Sequence, residues 1–424
     1  MLDIRFIRTH PDIVKEAARR KRIQMDVDAL LEVDAQRRSL SEELDMLRAQ
    51  RNRASREIPR LKGAEREQAI SAMREVASSI KTMEGTLREV EERYEQWMLQ
   101  VPNIPAEEVP EGEDDDDNVE AKRWGAPPTF SFEPADHIEL GERLDIIDIP
   151  RGAKLSGTRS YFLKNEGALL EVAVCRFALD HITAKGFTPM IVPHLVRDEA
   201  MIGTGYFPWG KEDAYRTVQD GLNLIGTSEV PLAAYHYDEI LSEDELPKYY
   251  AGLSYCFRRE AGSYGRDTRG LYRVHQFQKV EQVVVCKADP EISRGEHEAI
   301  LRNSEEVLQA LRLPYRVVHV CTGAMGAPQV KKYDIETWMP SRGAYGETHS
   351  CSMMYDFQAR RLKLRYRDGE GKIHFAHTLN NTVIASPRIL IPILECYQQE
   401  DGSVLIPEVL RPYMNGLERI TPKT

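Results

Sequence analysis

Residues 257–281 read FRREAGSYGRDTRGLYRVHQFQKVE, and this stretch decides how the chain must fold. Five arginines and a lysine fall within 25 residues, on two segments that alternate like strands around a polar, glycine-containing turn. Tyr255 to Arg259 reads as one strand and Leu271 to Val285 as a longer one that ends in β-branched residues. Such a hairpin sends Arg258, Glu260, Arg273 and Phe277 toward one face. Two guanidiniums can fork onto phosphate oxygens, a carboxylate can take the amino group of a base, and an aromatic ring can stack on a purine. A charged hairpin is more often a solvated, salt-bridged surface. Here both charge signs and the ring fall on period-2 positions, and the rest of the chain supplies their partners. The nucleotide reading is favoured.

With 424 residues the chain is long enough for two or three domains. Charged residues make up 29% and hydrophobic ones 42%, the composition of an ordinary soluble protein. The most apolar stretch, Thr382 to Leu394, is interrupted by Arg388 and two prolines, so no transmembrane helix is expected. The N-terminus lacks the apolar core of a signal peptide. A net charge of −11 argues against indiscriminate nucleic-acid binding, so any such contact needs a local basic patch. The six cysteines show no CxxC pairing; Cys256, Cys286 and Cys396 lie in apolar segments and read as buried thiols in a reducing cytoplasm.

Two long amphipathic series precede the sheet-forming part. Val33, Arg37, Leu40, Leu44, Leu47, Arg51, Ala54 and Ile58 follow heptad spacing, as do Met73, Val76, Ile80, Met83, Leu87, Val90, Tyr94 and Trp97. Pro59 and Gly63 break the pattern between them, so an antiparallel coiled-coil hairpin should project. Near its tip Arg48, Arg51, Arg53, Arg56, Arg60 and Lys62 face a lone Glu57. A charge run usually means a solvated face, but six cations within fifteen residues of a net negative chain point to phosphate-backbone contact. Pro102, Pro105 and Pro110 followed by Glu113 and Asp114 to Asp117 read as a linker without core-forming content. From about Trp124 helices alternate with short strands joined by hairpin-like turns. The expected fold is α+β, an antiparallel sheet flanked by helices. The expected domains are a helical arm over 1–105, an acidic Pro-rich linker over 106–123 and a catalytic domain over 124–424.

Several segments in order resemble those of bacterial-type seryl-tRNA synthetases, which are class II aminoacyl-tRNA synthetases. The form REAG with RDTRGLxRxHQFxKVE resembles the second class II motif, and KGFTPMIVPHLV the first, with Pro193 at a dimer interface. GTSEVPL resembles the loop that recognises serine, and ETHSCSMMYDFQARRLKLRY the segment leading into the third motif, TLNNTVIASPRILIPILECYQ. The hairpin resembles the family's tRNA-binding arm. Unlike the usual third motif, NNTVIASPR has no glycine before its arginine; Val383 and Pro387 stand there instead. CTGAMG places Ala324 where an acidic residue is common.

The resemblance implies a cytoplasmic homodimer that activates L-serine with ATP and Mg²⁺ and charges tRNA(Ser), and tRNA(Sec) where present. It implies a serine pocket of Thr227, Ser228, Glu229, Arg258, Glu281, Asn380 and Thr382. It also implies an ATP site of Arg258, Arg259, Glu260, Arg273, Phe277, Glu347, Thr348, His349, Ser350 and Arg388. Glu347 and Ser350 would ligate Mg²⁺, and Arg48, Arg51, Arg53 and Arg56 would contact tRNA. Adenylation needs positioning and charge neutralisation but no general base, so His275 and His349 read as structural histidines. Two alternatives use the same core: an amino-acid:carrier-protein ligase, which would lack the basic arm, and a non-catalytic paralogue, which would have lost phosphate-binding arginines or metal ligands.

Overall fold

The computed structural model describes residues 1–423 except 263, 264, 266 and 268. The chain forms two compact units, Met1–Pro102 and Asn103–Thr424. The first is built on two long helices, Val27–Glu57 and Gly63–Gln100, joined by a 3-10 turn over Ile58–Arg60 that contains Pro59. Asp26 caps the first of these, accepting from the amide of Ala29 at 2.9 Å. Heptad spacing accounts for the pairing. Met73, Val76, Ile80, Met83, Leu87, Val90, Tyr94 and Trp97 are all buried or half-buried, while their neighbours are mostly exposed. Arg37, a polar residue on the seam, is absorbed by Asp34 and lies 4.6 Å over the Tyr94 ring. Asp34 is buried and also takes both an Nε and an Nη bond from Arg8, which ties the N-terminal helix Ile4–Thr9 to the arm's base.

The second unit is organised by one eight-stranded sheet. Its strands in chain order are β1 Val119–Trp124, β2 Thr188–Ile191, β3 Lys248–Phe257, β4 Gln276–Cys286, β5 Tyr315–His319, β6 Lys331–Met339, β7 Ala344–Tyr355 and β8 His377–Ser386. Across the sheet they run β1-β5-β6-β7-β8-β4-β3-β2. Every pair is antiparallel except β2 with β3. Alternation along β4 separates two environments. Val280, Val284 and Cys286 enter the core that also contains Leu170 and Val174 of helix Asn165–Ala184 and Ile300, Leu301 and Val307 of helix Pro290–Ala310. Gln282 points the same way and donates to the carbonyl of Ile300 at 2.9 Å. Phe277, Lys279 and Glu281 line a cavity on the other face. The paired asparagines of β8 divide likewise: Asn381 donates to Ile300 O and Ser304 Oγ, and Asn380 faces the cavity.

Three expectations need correction. The first strand of the decisive hairpin is Lys248–Phe257, not Tyr255 to Arg259. The second strand of the decisive hairpin begins at Gln276, not Leu271. The preceding backbone donors are taken by other elements: Leu271 N by His137 Nε2 at 3.2 Å and His275 N by Arg159 O at 3.1 Å. The stretch expected as a linker is laid against the sheet. Val109 is buried with Val320 and Met325, and β1 pairs with β5 as the edge strand. Its six side chains are all exposed, so it carries no alternation to betray it. Cys256 and Cys286 are buried, and Cys396 is half-buried. Among the described residues no helix is long and apolar enough to cross a membrane.

Candidate active site

The cavity collects side chains from three adjacent central strands and the loops around them. Its floor is β4, β8 and β7, which bring Glu281, Asn380, Thr382, Glu347 and Ser350 to one face. Glu281 is 1% exposed and accepts from Lys279 Nζ at 2.7 Å and Thr382 Oγ1 at 3.2 Å. The ladder register places Thr382 directly opposite Glu281, which is why that contact forms. Glu229 starts a short helix, Glu229–Ala233, and its amide bonds to Thr227 Oγ1 at 3.2 Å. One of its carboxylate oxygens accepts from Gln358 at 2.8 Å and Asn380 at 2.9 Å, the other from Tyr206 at 2.9 Å. Burial and the nearby Glu281 carboxylate push Glu229 up to about 7, against the pull of Gln358, Tyr206 and Lys279.

Arginines line the same cavity. Arg258 donates from Nε to Gly226 O at 3.2 Å and lies 5.2 Å over the Phe277 ring. Arg388 stacks on Tyr272 at 4.4 Å, donates to Tyr272 O and Glu347 O, and stands 3.7 Å from the Glu347 carboxylate. Arg342 covers the same Tyr272 ring at 4.0 Å. Burial pushes Glu347 up, but Arg388, Lys332, Arg258 and Arg273 together hold it below the usual carboxylate range. Arg273 pairs with Glu260 at 2.7 Å; Glu260 lines the cavity and Arg273 does not.

Not every implied residue reaches the cavity. Ser228 is fully buried and turns its hydroxyl to Gly252 O at 3.3 Å, filling the space a Cβ on Gly252 would need. Arg259 points outward, holding Asp213 O through its amide and Glu212 O through its guanidinium. Thr227 is buried, does not line the cavity, and accepts from the Glu229 amide. Thr348 and His349 line the cavity, yet their polar atoms are used within the sheet. Thr348 Oγ1 meets Thr337 Oγ1 and Ile335 O; His349 bonds Thr348 Oγ1 and Val383 O. Burial pushes His349 down to about 4, so it is a neutral structural ring. The buried Val383 therefore has a backbone duty at the position where a glycine was expected. Tyr206, Tyr272, Lys279 and Gln358 escaped the sequence reading. Tyr206 and Gln358 gain their places from the convergence of distant segments and leave no local spacing signal, whereas Lys279 sits two residues from Glu281 on the same face of β4, where alternation could have found it. In the other unit, Arg48 pairs with Glu84 at 2.8 Å across the arm, and Arg51, Arg53 and Arg56 are exposed.

Comparison with known proteins places this geometry. The family model for the seryl-tRNA synthetase N-terminal domain matches residues 1–105, and that for the tRNA synthetase class II core domain (G, H, P, S and T) matches 214–397. A serine–tRNA ligase of Deinococcus radiodurans is 50% identical over 418 residues, covering 99% of this chain and 98% of that one. The chain belongs to the seryl-tRNA synthetase family. Among solved members, the seryl-tRNA synthetase from Pyrococcus horikoshii complexed with ATP is 40% identical with a TM-score of 0.92, and each chain is fully covered. The cytoplasmic serine–tRNA ligase from Naegleria fowleri in complex with AMP is 33% identical with a TM-score of 0.87, over 100% of this chain and 99% of that one. The fold is thus a class II core with an antiparallel sheet and an N-terminal helical arm.

Proposed function

We propose that this chain is a cytoplasmic serine–tRNA ligase that activates L-serine with ATP and passes the seryl group to the 3′-terminal adenosine of tRNA(Ser), and of tRNA(Sec) where present. The observation that carries the reading is the gathering of two buried carboxylates, Glu229 and Glu281, and the guanidiniums of Arg258 and Arg388 around one cavity. Glu229 takes the serine ammonium, while Glu281 and Thr382 take the hydroxyl. A site that hydrogen-bonds the hydroxyl rejects alanine, because the buried polar groups would be left unpaired. Arg258 bridges the serine carboxylate and the α-phosphate, Phe277 stacks on adenine, and Glu260 accepts the adenine amino group. The serine carboxylate attacks the α-phosphorus, the bond to the bridging oxygen breaks, and pyrophosphate leaves with its electron pair. A ribose hydroxyl of the tRNA terminus then attacks the adenylate carbonyl and AMP departs. The attacking carboxylate is already ionised, so the first step rests on alignment and charge neutralisation.

The hard oxygen donors of Glu347 and Ser350 suit Mg²⁺. Glu347 offers a carboxylate held ionised, Ser350 faces Asp334 across the β6–β7 ladder, and buried Asp334 keeps an oxygen without a protein partner. Glu347 and Ser350 would hold the ion, which neutralises phosphate charge when bound. Arg388 takes the γ-phosphate; Arg273, implied beside it, is paired with Glu260 and does not line the cavity. The arm supports tRNA, not a carrier protein, as the acceptor. A homodimer is supported by the uncovered edge strand β2, where Ile191 is 78% exposed, and by exposed Leu155, Phe162 and Tyr255 around one groove. ATP–pyrophosphate exchange measured with serine, threonine, alanine and glycine tests the reading. Exchange should be strongest with serine, and equal rates with alanine would overturn it.

A further inference from the structure

A carboxylate offers about four acceptor positions. On Glu229 three are already occupied: Gln358 Nε2 and Asn380 Nδ2 share Oε1, and the Tyr206 hydroxyl is bonded to Oε2. The Gln358 amide has no freedom to turn over. Its nitrogen faces two groups that only accept, Thr204 O at 3.0 Å and Glu229, and its oxygen accepts from Thr378 Oγ1 at 2.7 Å. Glu229 thus keeps one open lobe, on the oxygen that Tyr206 shares.

Tyr206 is itself held in place. It follows the helix Asp198–Thr204 and Gly205, which has φ +86° and no room for a side chain: a Cβ would stand 2.5 Å from Pro328. Phe207 N bonds Met201 O, and Gly210 N bonds Tyr206 O at 2.7 Å. Arg361, flanked by the Trp209 and Phe357 rings, donates to Ile202 O and Phe207 O and closes the loop from below. The phenol thereby lines the cavity among the carboxylates of Glu229 and Glu281 and the Arg258 guanidinium. Burial keeps it protonated and so a donor to Glu229, while its own oxygen lone pairs remain acceptors.

We propose that Tyr206 and Glu229 bind the serine ammonium jointly, Tyr206 directing the ammonium to the remaining lobe of Oε2 and accepting a second N–H itself. The proposal deepens the serine–tRNA ligase reading and rests on it. It assigns Tyr206 to the amino group alone, not to the hydroxyl or the nucleotide.

The test is Tyr206→Phe in the full-length protein, assayed by pyrophosphate exchange between pH 5.5 and 8.5 with both serine and ATP varied. The ring and its volume stay; only the hydroxyl goes. The serine KM should rise roughly ten-fold or more, as for loss of a bond to a charged group, with the ATP KM unchanged. The acid limb of kcat/KM for serine should move to higher pH, because one donor that keeps Glu229 ionised is lost. Lys279 and Glu281 on β4, Gln358, Asn380 and Arg258 face the same site and remain in place. The inhibition constant of 3-hydroxypropanoate, which is serine without its amino group, should be the same for both proteins. A wild-type serine KM in the variant, an equal rise in the ATP KM, or equally weakened 3-hydroxypropanoate each overturn the proposal. Wild-type protein that fails to exchange with serine overturns the underlying reading instead, so the two failures are distinguishable.

Discussion

At the scale of single residues, the site depends on keeping two carboxylates charged where water is scarce. Glu229 solves this with neutral donors and Glu281 with the buried ammonium of Lys279, and the solutions make different predictions. With its pKa raised to about 7, Glu229 is protonated below that pH and cannot receive an ammonium. Serine kcat/KM should therefore fall as the pH drops through about 7, while the ATP KM stays level. A serine KM flat from pH 5.5 to 8.5 would remove Glu229 from ammonium recognition. The Lys279–Glu281 pair is 7% and 2% exposed, so breaking it strands a charge. Glu281→Gln should cost about 3–5 kcal/mol of stability and weaken serine binding. Adding Lys279→Met should restore most of the stability in denaturant melts but not the serine affinity. If the double variant recovered serine binding, Glu281 would serve packing and not the substrate.

At the scale of elements, the arm was legible because the seam of its second helix is continuous from Met73 to Trp97: a heptad series without a break has one way to bury itself. The central strands were legible from alternation, and Arg258, Phe277, Glu281, Asn380, Thr382, Glu347 and Arg388 do line one cavity. Legibility failed where bonding partners are remote in sequence. Residues 271–275 have strand-like composition but bond to His137 and Arg159, and β1 has no buried face. Tyr206 and Gln358 reach Glu229 across 23 and 129 residues of sequence, a convergence no local pattern encodes. The edge strand β2 poses the next question. As the outermost strand of the sheet it leaves Ile191 exposed, beside exposed Leu195 and Pro193. We expect this edge to be covered by a second copy. Light scattering should give twice the chain mass at micromolar concentration, and Ile191→Asp should shift it toward monomer. A wild-type protein that stays monomeric and active would exclude the interface.

At the scale of the whole molecule, the two units carry separable chemistry. Every cavity residue lies between Thr204 and Arg388, within the second unit. Deleting residues 34–97 should therefore leave serine-dependent pyrophosphate exchange in place while transfer to tRNA collapses. A gentler variant isolates the cause. Arg48, Arg51, Arg53 and Arg56 lie on the distal part of helix Val27–Glu57, all exposed. Arg48 is already shared with Glu84, so Arg51, Arg53 and Arg56 should carry more of the phosphate contact. Changing all four to Gln keeps helix propensity and the apolar seam of the partner helix but removes the charge. Each phosphate contact releases counterions, so their loss should weaken tRNA binding and flatten its dependence on salt. Circular dichroism should show the arm still helical, and exchange should run at the wild-type rate. Normal charging of tRNA by the quadruple variant at physiological salt would show that the basic stretch is only a solvated surface, and the acceptor contact would then have to be sought elsewhere on the chain.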